Sequence, residues 1–352
     1  MIDSCKKWSL CFLALVGTVT LLTVMANYVI DPLWCFSNIN SVNTPAGIVD
    51  QRQQKTNKLT FERNSYDALI LGSSRTEPVS QDDFYNLHAF NYAAPAMFPD
   101  EYDSYIEYFC KLNHDKVTTI FVGLDFFGTI ETKPIENKPP MTYIDTSRER
   151  LYRFKSLITM DALRIYVKNY YKHANYYLYD RNKNILIPKD LSRYDRKKLL
   201  SDRLELLRDS FYSSNKYSYN PDYRKNIARL KAKYNQINII VFTTPVTRPL
   251  FEALIREGRF DDYCRWIRDV VDVFNGVYNF MYVNSITENL DNYYDADHFF
   301  PKTGTLIAHK ITGFPDENIP KDFGVYVTRD NLDEHLEFLR RQAESIIRND
   351  VR

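Results

Sequence analysis

Between Trp8 and Ile30 the chain runs 23 residues without a charged side chain, interrupted only by small or weakly polar groups and Asn27. Nothing else in the sequence constrains the fold as strongly, because a stretch this apolar must leave water. As a helix rising 1.5 Å per residue it spans about 35 Å, enough for a hydrocarbon layer of about 30 Å. Lys6 and Lys7 precede it, and no Lys or Arg follows until Arg52. Positive charge marks the cytoplasmic side, so the pattern predicts a single-pass protein of the cell (inner) membrane. Its N-terminus would be cytoplasmic and the bulk of the chain extracytoplasmic. Tyr28 and Trp34 fall where an aromatic belt would sit. A cleaved signal peptide is the competing reading, since Val24-Met25-Ala26 loosely resembles a small-residue cleavage site. The length of the apolar run favours a retained anchor. Neither Cys5 nor Cys35 follows a lipoprotein-like pattern, so lipid attachment is not expected.

Over all 352 residues, 44% hydrophobic and 26% charged content fits a globular domain and excludes a disordered chain. The balance of 46 Lys+Arg against 45 Asp+Glu gives a net +1, so no nucleic-acid partner is expected. Five Cys without a Cys-x-x-Cys pair exclude a disulfide knot and a structural zinc module. Cys5 and Cys11 lie in or before the anchor. Cys35, Cys110 and Cys264 form an odd set, for which one disulfide or none is open, and burial as small apolar side chains is the simpler expectation.

Residues 36–66 are polar, and Asp50 to Lys55 reads as a solvated connector or a short helix. Beyond them, short apolar runs alternate with helix-length segments. The runs are 67–72, 89–92, 117–124, 237–243 and, more weakly, 280–283; the helical segments are 99–112, 221–234 and 250–274. Apolar strands alternating with helices predict an α/β fold with a parallel sheet covered on both faces. Ligands bind such sheets at the carboxyl ends of the strands. The predicted organisation is an anchor over 1–30, a connector over 31–66, an α/β domain over 67–312 and an extension over 313–352. Within that extension, Leu332, Leu336, Leu339, Ala343 and Ile346 share one face of a docking helix.

An insertion at about 130–220 interrupts the alternation. Residues 146–208 hold 16 Lys/Arg against 7 Asp/Glu and eight Tyr, Tyr170, Tyr171, Tyr176, Tyr177 and Tyr179 among them. The segment reads as helical. It suits a groove for an anionic or sugar polymer, a solvated lid whose tyrosines pack inward, or a cap on anionic lipid headgroups.

Two short motifs carry chemistry. Leu71-Gly72-Ser73-Ser74-Arg75-Thr76 follows the first strand, where a tight turn presents a serine hydroxyl and backbone N–H groups at the sheet's carboxyl edge. A helix N-cap would use the same residues. Tyr294-Asp295-Ala296-Asp297-His298-Phe299 precedes Pro301 and Gly304. Its Asp295 can orient His298 while the second ring nitrogen activates a serine. A surface turn or a divalent-ion site is the alternative there, but no third ligand motif accompanies it. No metal or cofactor is expected.

In this order and on this fold, the motifs resemble the SGNH/GDSL hydrolase superfamily, whose fold is a small three-layer α/β sandwich. The resemblance covers roughly 66–128 and 236–305. It implies Ser74 as nucleophile, His298 as base and Asp295 as its orienter; the choice of Ser74 over Ser73 comes from that alignment. Asn91-Tyr92-Ala93-Ala94-Pro95-Ala96 looks like the second block, which places oxyanion-hole donors at Ser74 and Ala96. Gly123-Leu124-Asp125 resembles the third block, with Gly123 as a further donor. The family's Asn is replaced by Asp125 there, so one side-chain donor is missing, worth roughly 3–4 kcal/mol where tested. Asn91 and Asp125 are expected to face substrate. So is Arg75, for which a surface helix start is equally open.

The anchor and the Leu-Gly-Ser-Ser-Arg block are similar to those of membrane-anchored envelope-polysaccharide O-acetylation and D-alanylation proteins. Two functions follow from the resemblance. One is a serine esterase or O-acyltransferase acting on a cell-envelope polysaccharide, with the bilayer and a membrane-bound acyltransferase as partners. The other is a catalytically inactive scaffold of the same fold that binds the polymer or that acyltransferase.

Overall fold

In the computed structural model of the chain, the described residues are 2–44, 47–62, 65–173, 177–189, 191–213 and 215–349. They form two compact units, Ser65–Pro139 with Lys183–Arg352, and Met1–Asn64 with Pro140–Asn182. The sequence places the connector and the insertion apart. In the structure, residues 1–64 and the first part of the insertion share one unit.

The larger unit is α/β. Its sheet has six strands: β1 (Ala68–Leu71), β2 (Ala89–Asn91), β3 (Thr119–Leu124), β4 (Asn238–Thr243), β5 (Val277–Asn279) and β6 (Val325–Val327), in the order β2-β1-β3-β4-β5-β6. The first five run parallel and β6 is antiparallel to β5. Every residue of β1 and β3 is buried, as strands covered on both faces require. Alternate residues point to opposite sides. Ala68, Ile70 and Phe121 join a core with Phe242, Ile307 and Ile311. On the other side Leu69, Leu71, Ile120 and Val122 are equally dry.

Three expectations are corrected in detail. The strand expected at 280–283 lies at Val277–Asn279, because Phe280 and Met281 turn their N–H groups to Thr243 Oγ1, at 2.8 and 3.0 Å. The segment 250–274 is two helices, Arg248–Arg256 and Phe260–Phe274, parted where Gly258 takes φ +73°. Short β6 has no counterpart in the apolar pattern. The C-terminal helix, Leu332–Asn349, buries Leu336, Leu339, Ala343 and Ile346, as their spacing predicts.

In the smaller unit, α1 (Ile2–Ile30) carries the membrane-length segment Cys5–Ile30, whose most apolar 18 residues have mean hydropathy 2.2 and are wholly unburied. It is long and apolar enough to cross a membrane. Directly after it, the Asp31 carboxylate accepts from the N–H groups of Cys35 and Phe36 at 2.8 and 2.9 Å and from Arg181 at 2.6 Å.

Of the two readings of Asp50 to Lys55, the structure has the helix, α2 (Gln51–Phe61), but not a solvated one: Gln51 through Leu59 are all buried. Its polar side chains are dry because they are bonded. Gln53 donates to Asn57 and Ser147, each at 2.9 Å, Gln54 to the Pro32 carbonyl at 2.9 Å, and Asn57 to the Leu33 carbonyl at 2.7 Å.

The insertion contains the helices Pro140–Arg148, Met160–His173 and Arg193–Leu207, with extended stretches at Tyr177–Asp180 and Ile185–Pro188. Tyr166 and Tyr179 are buried and Tyr171 is exposed, while Tyr176 lies outside the described residues. All five cysteines are free thiols; burial pushes Cys35 up to about 12 and Cys264 up to about 11.

Candidate active site

The chain leaves β1 for the edge strand β2 and returns to lay β3 on the other side of β1, so strand order reverses between β1 and β3. Loops after these strands open a crevice where such sheets bind ligands. After β1, Gly72 takes a φ of +155°, and a Cβ there would lie 2.2 Å from Thr76 Oγ1. Only glycine fits this turn. Ser73 is buried, its hydroxyl accepting from the Arg75 N–H at 3.1 Å. Ser74 is the one residue of 72–80 that is not buried. The turn therefore spends one serine on its own backbone and presents the other.

Ser74 Oγ lies 2.8 Å from His298 Nε2, and His298 Nδ1 lies 2.8 Å from Asp295 Oδ2. With Nδ1–H donating to the carboxylate, Nε2 is left to accept from the serine hydroxyl. The loop holding this ring is fixed by its own residues. Asp295 Oδ1 accepts the N–H groups of Asp297 and His298 at 3.0 and 2.9 Å, and Thr247 Oγ1 donates to the Ala296 carbonyl at 2.8 Å. The helix Pro301–Thr312 then leads away across the nucleophile loop. A Cβ on Gly304 would come within 2.5 Å of the Pro78 carbonyl, so this glycine sets how closely the two loops meet.

A second carboxylate touches the ring, with Asp297 Oδ1 3.2 Å from His298 Nδ1. Asp297 is fully buried between two guanidinium groups. Arg75 Nε donates to Oδ2 at 2.9 Å, while Arg203 donates from Nε to Oδ1 at 2.7 Å and from Nη2 to Oδ2 at 2.9 Å. Burial alone would raise the Asp297 carboxyl, but His298 and the two arginines hold it well below the usual carboxylate range. Burial likewise opposes protonation of His298, yet Asp295 and Asp297 outweigh it and raise the imidazole above its ordinary value. Asp295, Asp297 and His298 place ligand-capable atoms within 4.8 Å of one another. Both Asp297 oxygens are already bound by guanidinium, and two fixed cations at the cluster disfavour a divalent ion.

Three residues expected on substrate are elsewhere. Arg75 is neither at a surface helix start nor in the crevice. It is fully buried beside Asp297, with its guanidinium 5.0 Å from the Phe127 ring centre and Nη1 3.6 Å from Asp125 Oδ1. Asn91 is fully buried, donating to the carbonyls of Thr76 and Val79 at 3.2 and 2.8 Å and accepting from the Ala93 N–H at 2.9 Å, so it ties the nucleophile loop to the loop after β2. Asp125 is buried at the end of β3 and accepts from the Thr244 hydroxyl. Burial raises its carboxyl, with Arg75 and the Ser73 and Thr244 hydroxyls opposing.

The expected oxyanion donors divide. Among the described residues, the N–H groups of Ser74 and Ala96 have no hydrogen-bond partner. Ala96 sits at φ +48°, while the amides of Ala94 and Met97 on either side are taken up by the carbonyls of Gly72 and Ala94. Gly123 lies inside β3 opposite Phe242, where a Cβ would meet Thr76 Oγ1 at 2.1 Å, so its smallness admits the Thr76 side chain.

A cavity of about 770 Å³ adjoins the triad at Asp295, lined also by Arg196, Leu200, Leu290, Tyr293 and Tyr294. The helix Arg193–Leu207 supplies its basic wall and, further along, Arg203. Sequence reasoning missed Arg203 and the second carboxylate at His298; Asp297 stood inside the quoted motif, but only as an alternative metal ligand. The sequence matches no protein-family model and no curated protein.

Proposed function

We propose that this chain is an SGNH-type serine esterase or O-acyltransferase, held in the cell membrane by α1 with its bulk outside the cytoplasm and acting on a cell-envelope polysaccharide. The observation that carries the reading is the Ser74–His298–Asp295 relay at the strand-order switch, with two unpaired N–H groups on the loops that frame it. His298 Nε2 takes the Ser74 proton as Oγ attacks an ester carbonyl. The oxyanion that forms is met by the N–H groups of Ser74 and Ala96, a type of contact worth roughly 10²–10³ in rate per donor. Collapse releases the alcohol, which leaves with the proton from His298, and an acyl-Ser74 ester remains. Water or a sugar hydroxyl, deprotonated by the same imidazole, then attacks the acyl carbon, and Ser74 Oγ leaves with the proton returned by His298.

The competing reading, an inactive scaffold that binds polymer or a membrane acyltransferase, is favoured by Asp125 standing where the resemblance calls for an Asn donor. Its burial against Thr244 and Arg75 removes its charge from the crevice and weakens that objection.

Labelling of the full chain in detergent with a fluorophosphonate, read by intact mass, decides between them. The expected result is one adduct, absent in Ser74→Ala and lost in His298→Ala. A folded wild-type chain that takes no adduct sinks the enzyme reading and leaves the scaffold.

A further inference from the structure

The last turns of α1 are pinned to the segment 151–160. Asn27 Nδ2 donates to the carbonyls of Leu157 and Thr159 at 2.8 and 3.2 Å, and Thr23 Oγ1 lies 3.4 Å from Met160 Sδ. These bonds fix the segment's height along α1. From Trp8 to Asn27 the helix advances about 28 Å, so a span that begins at Trp8 leaves the hydrocarbon layer close to Asn27. The segment therefore lies where acyl chains give way to headgroups.

Its surface composition fits that level and not open water. Leu151, Phe154, Ile158 and Met160 are 58%, 61%, 59% and 58% exposed on ten residues of chain. Scattered exposed apolar groups need no explanation, but four large ones beside an exposed apolar helix do. Exposed cations flank them along the chain: Arg148, Arg150, Lys155, Arg164 and Lys168. Asp145, Glu149 and Asp161 are the exposed acids of this stretch, and Glu149 faces Lys155 across 3.9 Å. Apolar side chains flanked by long cationic ones match the lipid interface, where stems lie along acyl chains and charged ends reach phosphate.

We propose that residues 151–160 are an interfacial membrane-docking element, with Leu151, Phe154, Ile158 and Met160 seated among acyl-chain ends and the flanking cations on anionic phospholipid headgroups. The element gives the smaller unit a second hold on the bilayer beside α1. The proposal rests on α1 spanning the membrane, and the experiment reads the two separately.

The full chain carrying Ile158→Trp, and separately Phe154→Trp, in a Trp8→Phe background would be reconstituted into phosphatidylcholine vesicles with and without phosphatidylglycerol. Co-flotation with vesicles after an alkaline wash reports α1. The difference in indole emission from the Trp8→Phe parent reports the element. The expected result is blue-shifted emission, quenched by lipids brominated high on the acyl chain, with stronger quenching when phosphatidylglycerol is present. Lys155→Gln with Arg164→Gln should remove that lipid dependence. A chain that floats but shows water-like, unquenched emission at both positions overturns the proposal while leaving the anchor standing. A chain that washes off the vesicles overturns both. Unquenched emission in pure lipid that becomes blue-shifted only in native membranes assigns the surface to a protein partner instead, and also overturns it.

Discussion

The proton affinity of His298 is lowered by burial, raised by two carboxylates that outweigh it, and moderated by Arg203. Asp295 lies 2.8 Å from Nδ1 and Asp297 lies 3.2 Å from it, while Arg203 and Arg75 hold Asp297. The raised imidazole has two consequences of opposite sign. Catalysis needs the neutral ring, so the acid limb of the fluorophosphonate labelling rate should lie above the ordinary histidine value of about 6.5. The stabilisation from the charged ring is complete below about 6.5 and is lost as pH rises through the folded-state value. Thermal stability should therefore fall over the same interval in which labelling accelerates. Arg203 opposes protonation of the ring, so Arg203→Met should move the acid limb further up, and Arg203→Lys should largely restore it. Rate and melting profiles against pH check this; an acid limb at or below 6.5 in wild type contradicts it.

Elements meet at the site through small residues whose purpose the sequence shows only in part. The six-residue runs at β3 and β4 were legible because a strand buried on both faces must be continuously apolar. The break at Gly258 was not, since one glycine within a helical pattern does not announce a positive φ. Nor was the burial of α2, because its dryness depends on hydrogen bonds to residues up to 124 positions away. The two short motifs were legible as local patterns, whereas Arg75 was misplaced because its partner Asp297 lies far along the chain. Gly304 is the sharpest case of contact between elements. In Gly304→Ala the new methyl would meet the Pro78 carbonyl at 2.5 Å and Val79 Cα at 2.9 Å, both backbone atoms. The Pro301–Thr312 helix would have to move away from the nucleophile loop. A cost of about 1–3 kcal/mol in thermal unfolding is expected, with a larger fractional loss in Ser74 labelling than the unfolded fraction explains. Unchanged labelling and stability would show that the loops yield freely.

At the scale of the whole molecule, the chemistry and the apolar helix belong to different units. Ser74, Arg75, Ala96, Asp125, Arg203, Thr244, Asp295, Asp297 and His298 all fall within Ser65–Pro139 or Lys183–Arg352, and α1 falls within Met1–Asn64. The relay is thus complete without any atom of α1. If α1 serves location alone, a chain lacking residues 2–22, which keeps Thr23, Asn27 and their bonds to 157–160, should lose its alkali-resistant hold on the membrane, keeping only the weaker interfacial one, without losing its active serine. Its fluorophosphonate labelling rate should stay within about twofold of the full chain, because distant sites without shared partners act independently. The natural comparison is extension of the deletion through Asn27, which also removes the side chain bonded to the Leu157 and Thr159 carbonyls and should lower the melting temperature. Loss of labelling in the shorter deletion, with melting unchanged, would mean that α1 acts on the catalytic relay as well as on location.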